Sequence, residues 1–411
     1  MTISPPANVR DTKNIPFSVL AYGVDTLNLA LDITWNSEGE FFRKLTEYRC
    51  DADEQEEEVS CVITGPDGQA DWVCALPNYG DRGYQWILTA KDYHLKIGNW
   101  MEPKSRPSVM VEIRSETLWT HGVDAAVQRI LKLLENVGAK IETVKLSRLD
   151  LCVDLLMTAS DWHSGLMDCF NTRAQKIDPH TSNRKLTGFS IGAGVMSARL
   201  YDKWREIIDR SQKFWMFDIW GMIPAEDEKV IRTEFQLRRE QLKELQISEY
   251  EQLEASLPNI WSYCSKRWLK VVDDPNKHPA RQKLLPWWEV VQNGFPGAQN
   301  AFPLVRGKSI SHEQDALINQ IQGFVAALTG LLRQGDLIGK DETLDTRSHM
   351  RMVIDLVCNK QWTDEKFTKK VKLNQVKRIR YGQKFEEASR VLNELGLSLE
   401  QLHSRESPHH D

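Results

Sequence analysis

Three short segments of this chain alternate long polar and apolar side chains, and their polar sets have the makings of a phosphate-handling site. Successive residues of a strand point to opposite faces. In SRLDLCVD (147–154), Arg148, Asp150 and Asp154 therefore share one face. In ARLYDKW (198–204) the shared face carries Arg199, Tyr201 and Lys203, and in IRTEFQLRRE (231–240) it carries Arg232, Glu234, Gln236 and Arg238. Leu149, Leu151, Val153, Leu200, Ile231, Phe235 and Leu237 take the opposite faces. If the three strands lie in one sheet, their polar rows converge on one surface. Asp150, Asp154 and Glu234 then offer the hard oxygen ligands that Mg²⁺ or Mn²⁺ prefers. The arginines offer bidentate donors for phosphate oxygens. A divalent cation on a phosphodiester would polarise it for attack. The plainer alternative is that these acids and bases pair across a solvated sheet face. Against it stands the crowding of long charged residues on such short segments, with no Ser or Thr among the residues of that face.

The elements that position these rows follow from periodicity. Val24 to Trp35 alternates as a half-buried strand, with Leu27, Leu29, Leu31 and Ile33 on one side and Asn28, Ala30 and Asp32 on the other. LNLALDI (27–33) and LDLCVDL (149–155) match in both the apolar period and the terminal aspartate. Ile97-Gly98 precedes a strand-like stretch from Ser108 to Arg114, as Ile191-Gly192 precedes one from Ser197 to Lys203. The expectation is an α+β fold of duplicated strand–helix units, forming a mainly antiparallel sheet with one exposed polar face. The helix of the first unit repeats Val123, Val127, Ile130, Leu131, Leu134 and Val137, and Gly138 sits at its C′ position. Asn259 is expected to cap a helix carrying Ile260, Trp261, Cys264 and Trp268. A helical C-terminal module is expected to open at Ser311.

The boundaries expected are a flexible leader at 1–16, a first unit at 17–145, and a second unit at 146–271 that carries the polar face. A Pro-, Gly- and Asn-rich surface connection follows at 272–309, then the helical module at 310–402 and a disordered tail at 403–411. Hydrophobic residues make up 41% of the 411, enough to bury a core. No run of 18 or more apolar residues occurs, and the first ten residues lack a secretory pattern, so a cytoplasmic address and no membrane contact are expected. The seven cysteines never form a CxxC pair and read as reduced, mostly packed thiols. A net charge of −5 does not advertise a nucleic-acid binder, but charge is segregated. Asp51 to Glu58 is an acidic run expected as a solvated loop. Between Gln361 and Lys384 the balance is strongly basic, and Lys369, Lys370, Lys377 and Arg378 suit duplex phosphates, or a docking surface for a helicase or for a second copy.

The segments RLDLCVD, RLYDK and RTEFQLR, in this order and spacing, resemble the Rep_trans family of replication initiation factors. These are initiators of rolling-circle plasmids and phages, with related relaxases of mobile elements, and the resemblance covers roughly residues 17–270. It implies metal-dependent nicking and rejoining of one DNA strand at an origin by a tyrosine, without a His-hydrophobic-His metal motif, which this chain also lacks. By the resemblance Asp150 and Glu234 come first as metal ligands and Asp154 third. Arg148, Arg199, Tyr201, Lys203, Arg232 and Arg238 become DNA-binding candidates, with single-stranded and duplex DNA as partners. The chain departs from the family pattern at the nucleophile: the segment Arg239 to Gln246 holds no tyrosine. Tyr250 follows a Ser248/Glu251 capping box, beside acids that would raise its pKa. Tyr263 has Arg267 and Lys270 at i+4 and i+7, the cations a phenol of pKa about 10 needs to attack at neutral pH. Tyr263 is therefore the first expectation and Tyr250 the second. The rival reading is a non-catalytic origin- or operator-binding protein on the same fold.

Overall fold

The computed structural model describes residues 17–36, 39–64 and 70–301, together with scattered helical positions between 318 and 371. The leader, the tail and the basic residues Lys369, Lys370, Lys377 and Arg378 lie outside the described residues. Two compact units divide the chain, residues 1–303 and 304–411. The first is described below.

Its strands are β1 (Ser18–Trp35), β2 (Val59–Thr64), β3 (Ala70–Leu76), β4 (Trp86–Thr89), β5 (Tyr93–Ile97), β6 (Val109–Ile113), β7 (Ala139–Thr158), β8 (Phe170–Thr172), β9 (Ile177–Ser182), β10 (Lys185–Ala193), β11 (Met196–Asp202), β12 (Glu228–Arg238) and β13 (Leu269–Val271). Its α-helices are α1 (Glu40–Gln55), α2 (Ser115–His121), α3 (Val123–Asn136), α4 (Lys203–Glu206), α5 (Trp215–Trp220), α6 (Arg239–Glu244), α7 (Leu253–Tyr263) and α8 (Pro286–Asn293). Eleven strands make one antiparallel sheet in the order β2-β3-β4-β5-β6-β1-β7-β12-β11-β10-β9, and β8 pairs with β13 separately. The fold is thus α+β with a large antiparallel sheet. The long strands β1 and β7 pair along its midline.

One face of the sheet is apolar and covered by helices. Under the first half lies α3, with Val127, Ile130 and Leu134 buried, and the Tyr93 hydroxyl donates to the Ala126 carbonyl at 2.7 Å. Under the second half lie α7 and α8: Trp261 meets Phe235 edge to face, and the Trp261 Nε1–H donates to the Val291 carbonyl. On the other face the segment α4–α5 caps one end, where Ile207, Met216 and Trp220 pack against Ala21, Cys152 and Val230. Among the described residues no helix is long and apolar enough to cross a membrane.

Several local expectations change. The acidic run is not a loop throughout. Asp51, Asp53 and Glu54 lie in α1, which forms because Phe41, Leu45 and Ala52 give it a buried stripe. Asn259 is interior to α7, not its cap. The segment expected as a surface connection contains α8, opened by Pro286 in the first turn and anchored by buried Trp287 and Trp288. Lys203 belongs to no strand; β11 ends at Asp202, whose carboxylate caps α4 by accepting from the Arg205 N–H at 3.0 Å.

Candidate functional site

The three polar rows do converge, because β7, β12 and β11 are adjacent and paired in register. Across the sheet, Tyr201 lies opposite Arg232, which lies opposite Asp154 and then Ala21. The next row runs Arg199, Glu234, Cys152, Gly23, and the one after it Ser197, Gln236, Asp150, Thr26. A further row runs Arg238, Arg148, Asn28. Directly opposed residues of neighbouring strands share a face, so these side chains stand on one surface. Glycines make room beside it. A Cβ at Gly188 would come within 2.8 Å of the Leu200 carbonyl and the Tyr201 side chain, and one at Gly23 would press on Trp119 at 3.2 Å.

The row nearest the α4–α5 cap is closed. Arg232 is fully buried, and its guanidinium donates to both oxygens of Asp154, at 2.6 and 2.8 Å, and to Asp25 at 2.7 Å. Trp220 Nε1–H adds a bond to Asp154 at 2.8 Å. Ser115 and Trp119 donate to Asp25, and the Trp119 ring lies under the guanidinium at 5.7 Å. Both oxygens of Asp154, the third metal candidate, are thus engaged by Arg232 and Trp220. Burial would push the Asp25 carboxyl up, but Arg232, Lys213 and Lys203 outweigh it and hold it down at about 2.

Asp25 entered no row in the sequence. It sits where the β1–β7 register shifts between Val24 and Thr26. A signal was present: Asp25 falls in the apolar phase of Leu27, Leu29 and Leu31, and a charged residue there marks a bulge. Trp119 and Trp220 carried no comparable signal.

The two rows beyond are less crowded. Glu234 is 6% exposed and accepts a hydrogen bond from the Tyr201 hydroxyl at 3.1 Å. Burial, with the charges of Asp25 and Asp150, raises its pKa to about 7 despite Arg232 and Arg199. Asp150 is buried and also raised by desolvation, against the pull of Arg148, which grips it through Nε at 2.9 Å and a terminal nitrogen at 2.5 Å. Burial, and then Glu234, push the Tyr201 phenol well up and keep it protonated. The Lys203 ammonium stands 5.6 Å from that ring and pairs with Glu206 at 2.7 Å. Arg199 and Arg238 are exposed at the rim, and Arg148 is half-buried.

Neither expected tyrosine belongs to this surface. Tyr263 is 1% exposed at the end of α7, the helix that covers the apolar face. The helical register does not continue to bring Lys270 alongside it, because a π-helical turn at Cys264–Trp268 intervenes and Lys270 lies in β13. Tyr250 starts a short 3₁₀ turn whose capping box is made by Glu249 and Gln252, not by Ser248 and Glu251. Its hydroxyl donates to Asp124 at the start of α3, and burial, then that carboxylate, push its pKa well above the ordinary phenol value.

Among the described residues no group of three or more His, Cys, Asp and Glu side chains is arranged to share a metal ion. Glu234 and Asp150 are nonetheless diagonal neighbours on paired strands. No protein-family model matches this chain, and no curated protein matches it.

Proposed function

We propose that the polar face binds a DNA strand and breaks and rejoins it at one phosphodiester, with Tyr201 as the attacking group. The hydrogen bond from Tyr201 to Glu234, set among Arg148, Arg199 and Arg238, carries this reading. A phenol attacks only as its proton leaves, and a buried carboxylate with a pKa near 7 is matched to accept that proton at neutral pH. The Tyr201 oxygen would bond to phosphorus as the phenolic proton passes to Glu234. The 3′-oxygen would leave and take a proton from solvent, so the bond energy stays in a 5′-phosphotyrosyl ester. The 3′-hydroxyl, attacking in reverse, restores the strand without ATP. The rim arginines suit the flanking phosphates. This assignment replaces Tyr263 and Tyr250 with the phenol that shares a surface with the carboxylates.

A divalent cation fits this donor set in a limited way. Glu234 is hard to ionise first because it is buried and then because Asp25 and Asp150 stand near it. Mg²⁺ is commonly held by one or two carboxylates together with substrate phosphate oxygens. Glu234 would hold it here, joined by Asp150 only where Arg148 releases that carboxylate, and when bound it would polarise the phosphodiester.

The duplicated-unit reading belongs with this proposal. Each half begins with a long midline strand, β1 or β7, and its last strand in the large sheet, β6 or β12, pairs beside it. From there both halves step outward through earlier strands, β6-β5-β4-β3-β2 in the first and β12-β11-β10-β9 in the second, the first being one strand longer. Two copies of one unit, joined back to back, would account for the part of that path the halves share.

A DNA-binding protein without nicking activity is the second reading, favoured by the burial that keeps the Tyr201 phenol protonated. Incubation of labelled single-stranded origin DNA with Mn²⁺, followed by a denaturing gel, separates the two. A covalent protein–DNA band that disappears in Tyr201→Phe supports the first. Tight binding with no band in the parent protein supports the second, and a band that persists in Tyr201→Phe moves the nucleophile elsewhere.

A further inference from the structure

The outer strands of the first half set two thiols against each other. Cys61 on β2 and Cys74 on β3 are direct partners in register, and both are buried beside Ile63 and Trp72. Val62 and Val73, the neighbouring pair, are exposed. Directly opposed residues of an antiparallel pair have Cα atoms about 4.5 or 5.5 Å apart, inside the roughly 4.4–6.8 Å that a disulfide spans. Of the other described cysteines, Cys50, Cys152, Cys169 and Cys264, none has a cysteine as its register partner.

We infer that Cys61 and Cys74 are a modification site, a dithiol that closes to a disulfide across β2 and β3 on exchange with a low-molecular-weight disulfide such as oxidised glutathione. The opposed Cys74 thiol draws the Cys61 thiol below its ordinary pKa, which favours Cys61 as the first attacker. Its thiolate bonds to one glutathione sulfur and releases the other half as a thiol, the proton coming from Cys61. Cys74 then loses its proton, attacks the Cys61 sulfur and expels the second glutathione as thiol. Two protein thiols are oxidised and one small disulfide is reduced to two thiols.

Access comes from the location. Among the described residues β2 is the end strand of the sheet, hydrogen-bonded in the ladder to β3 alone, and an end strand opens locally at less expense than a central one. The bond would staple this hairpin. It would also preserve the packing of α1 along the outer side of β2, where Tyr48 donates to the Val62 carbonyl and accepts from its N–H. The site is separate from the polar face and does not depend on what that face does.

The test uses the full-length protein, exposed to oxidised glutathione or to dithiothreitol, quenched in acid, alkylated and digested. Oxidation should yield a peptide linked through Cys61 and Cys74, absent after reduction, together with a higher melting temperature that dithiothreitol reverses. In Cys74→Ser, Cys61 should accumulate as the mixed disulfide with glutathione. Recovery of Cys61 and Cys74 both alkylated from the oxidised wild-type protein, or of either one linked to a different cysteine, overturns the assignment. Because that reading comes from the wild-type chain, it stands even if the Ser variant does not fold.

Discussion

At the scale of single residues, Glu234 is the informative group. Its pKa is raised in the folded chain from the ordinary 4.5 to about 7, first by burial and then by Asp25 and Asp150. Below the ordinary value the carboxyl is protonated in both folded and unfolded chains and imposes no penalty. Above the raised value it is ionised in both, and the folded state bears the whole penalty. Stability from this group is therefore lost as pH climbs from about 4.5 to about 7. Glu234→Gln removes the titration and keeps the shape. Urea melts should show variant and parent alike near pH 4–5, with the variant more stable at pH 8 by about 1–3 kcal/mol. A variant less stable at pH 8 would mean that the ionised carboxylate is well compensated. Strand transfer should run the opposite way. In the parent it should rise with pH through about 7 as Glu234 becomes able to take a proton, and in Glu234→Gln it should be lost. Asp150→Asn should likewise abolish nicking while leaving duplex binding nearly intact.

At the scale of elements, the site rests on how β1, β7, β11 and β12 are locked together. Arg232 of β12 joins Asp154 of β7 and Asp25 of β1 in one buried ion cluster. Removing one member leaves uncompensated buried charge, so Arg232→Met should destabilise the fold by about 3–5 kcal/mol in a denaturant melt. A loss under about 1 kcal/mol would place Arg232 with solvated surface pairs. Gly188 in β10 tests the neighbouring approach. Adding a methyl there meets the Leu200 carbonyl and the Tyr201 side chain at 2.8 Å, so Gly188→Ala should displace Tyr201. Its covalent adduct should form more slowly while the rim arginines still bind DNA. An unchanged adduct rate would show that Tyr201 tolerates the shift or is not the attacking group.

At the scale of the whole molecule, residues 1–303 form a unit with its own sheet and core, and they hold the entire polar face. A chain ending at 303 should keep a cooperative melting transition and the covalent reaction. If that chain melts without cooperativity, the remaining residues are needed for the core. The basic segment adds affinity in the present reading. Replacing Lys369, Lys370, Lys377 and Arg378 by Ala in the full chain should weaken duplex binding and flatten its salt dependence. The slope of log K against log salt should fall by roughly 0.9 for each phosphate that these side chains neutralise. An unchanged slope would move that segment from DNA to a protein partner.

Features that depend only on period were legible in the sequence. Alternation in 148–154, 199–201 and 232–238 put the right residues on one face, because a strand's side chains alternate whatever it pairs with. The rhythm from Val123 to Leu134 likewise marked α3 before any packing was known. Tertiary structure settled which partner each polar group took. Asp150 and Asp154 look equivalent in LDLCVD, yet Asp154 faces Arg232 and Trp220 while Asp150 faces Arg148. Asp25 became a member of the site through a bulge against β7, which its charge in the apolar phase of β1 signals but whose partner, Arg232, only the pairing reveals. The helical face expected to join Tyr263 to Lys270 does not form, because the residues between them turn π-helical and then pair as a strand. Tyr201 stood in plain view in the sequence, but its importance depends on the Glu234 carboxylate 33 positions away, brought within 3.1 Å by the pairing of β11 with β12. Local pattern sets the direction of a side chain; its partner, its burial and hence its pKa are set by strands distant in sequence.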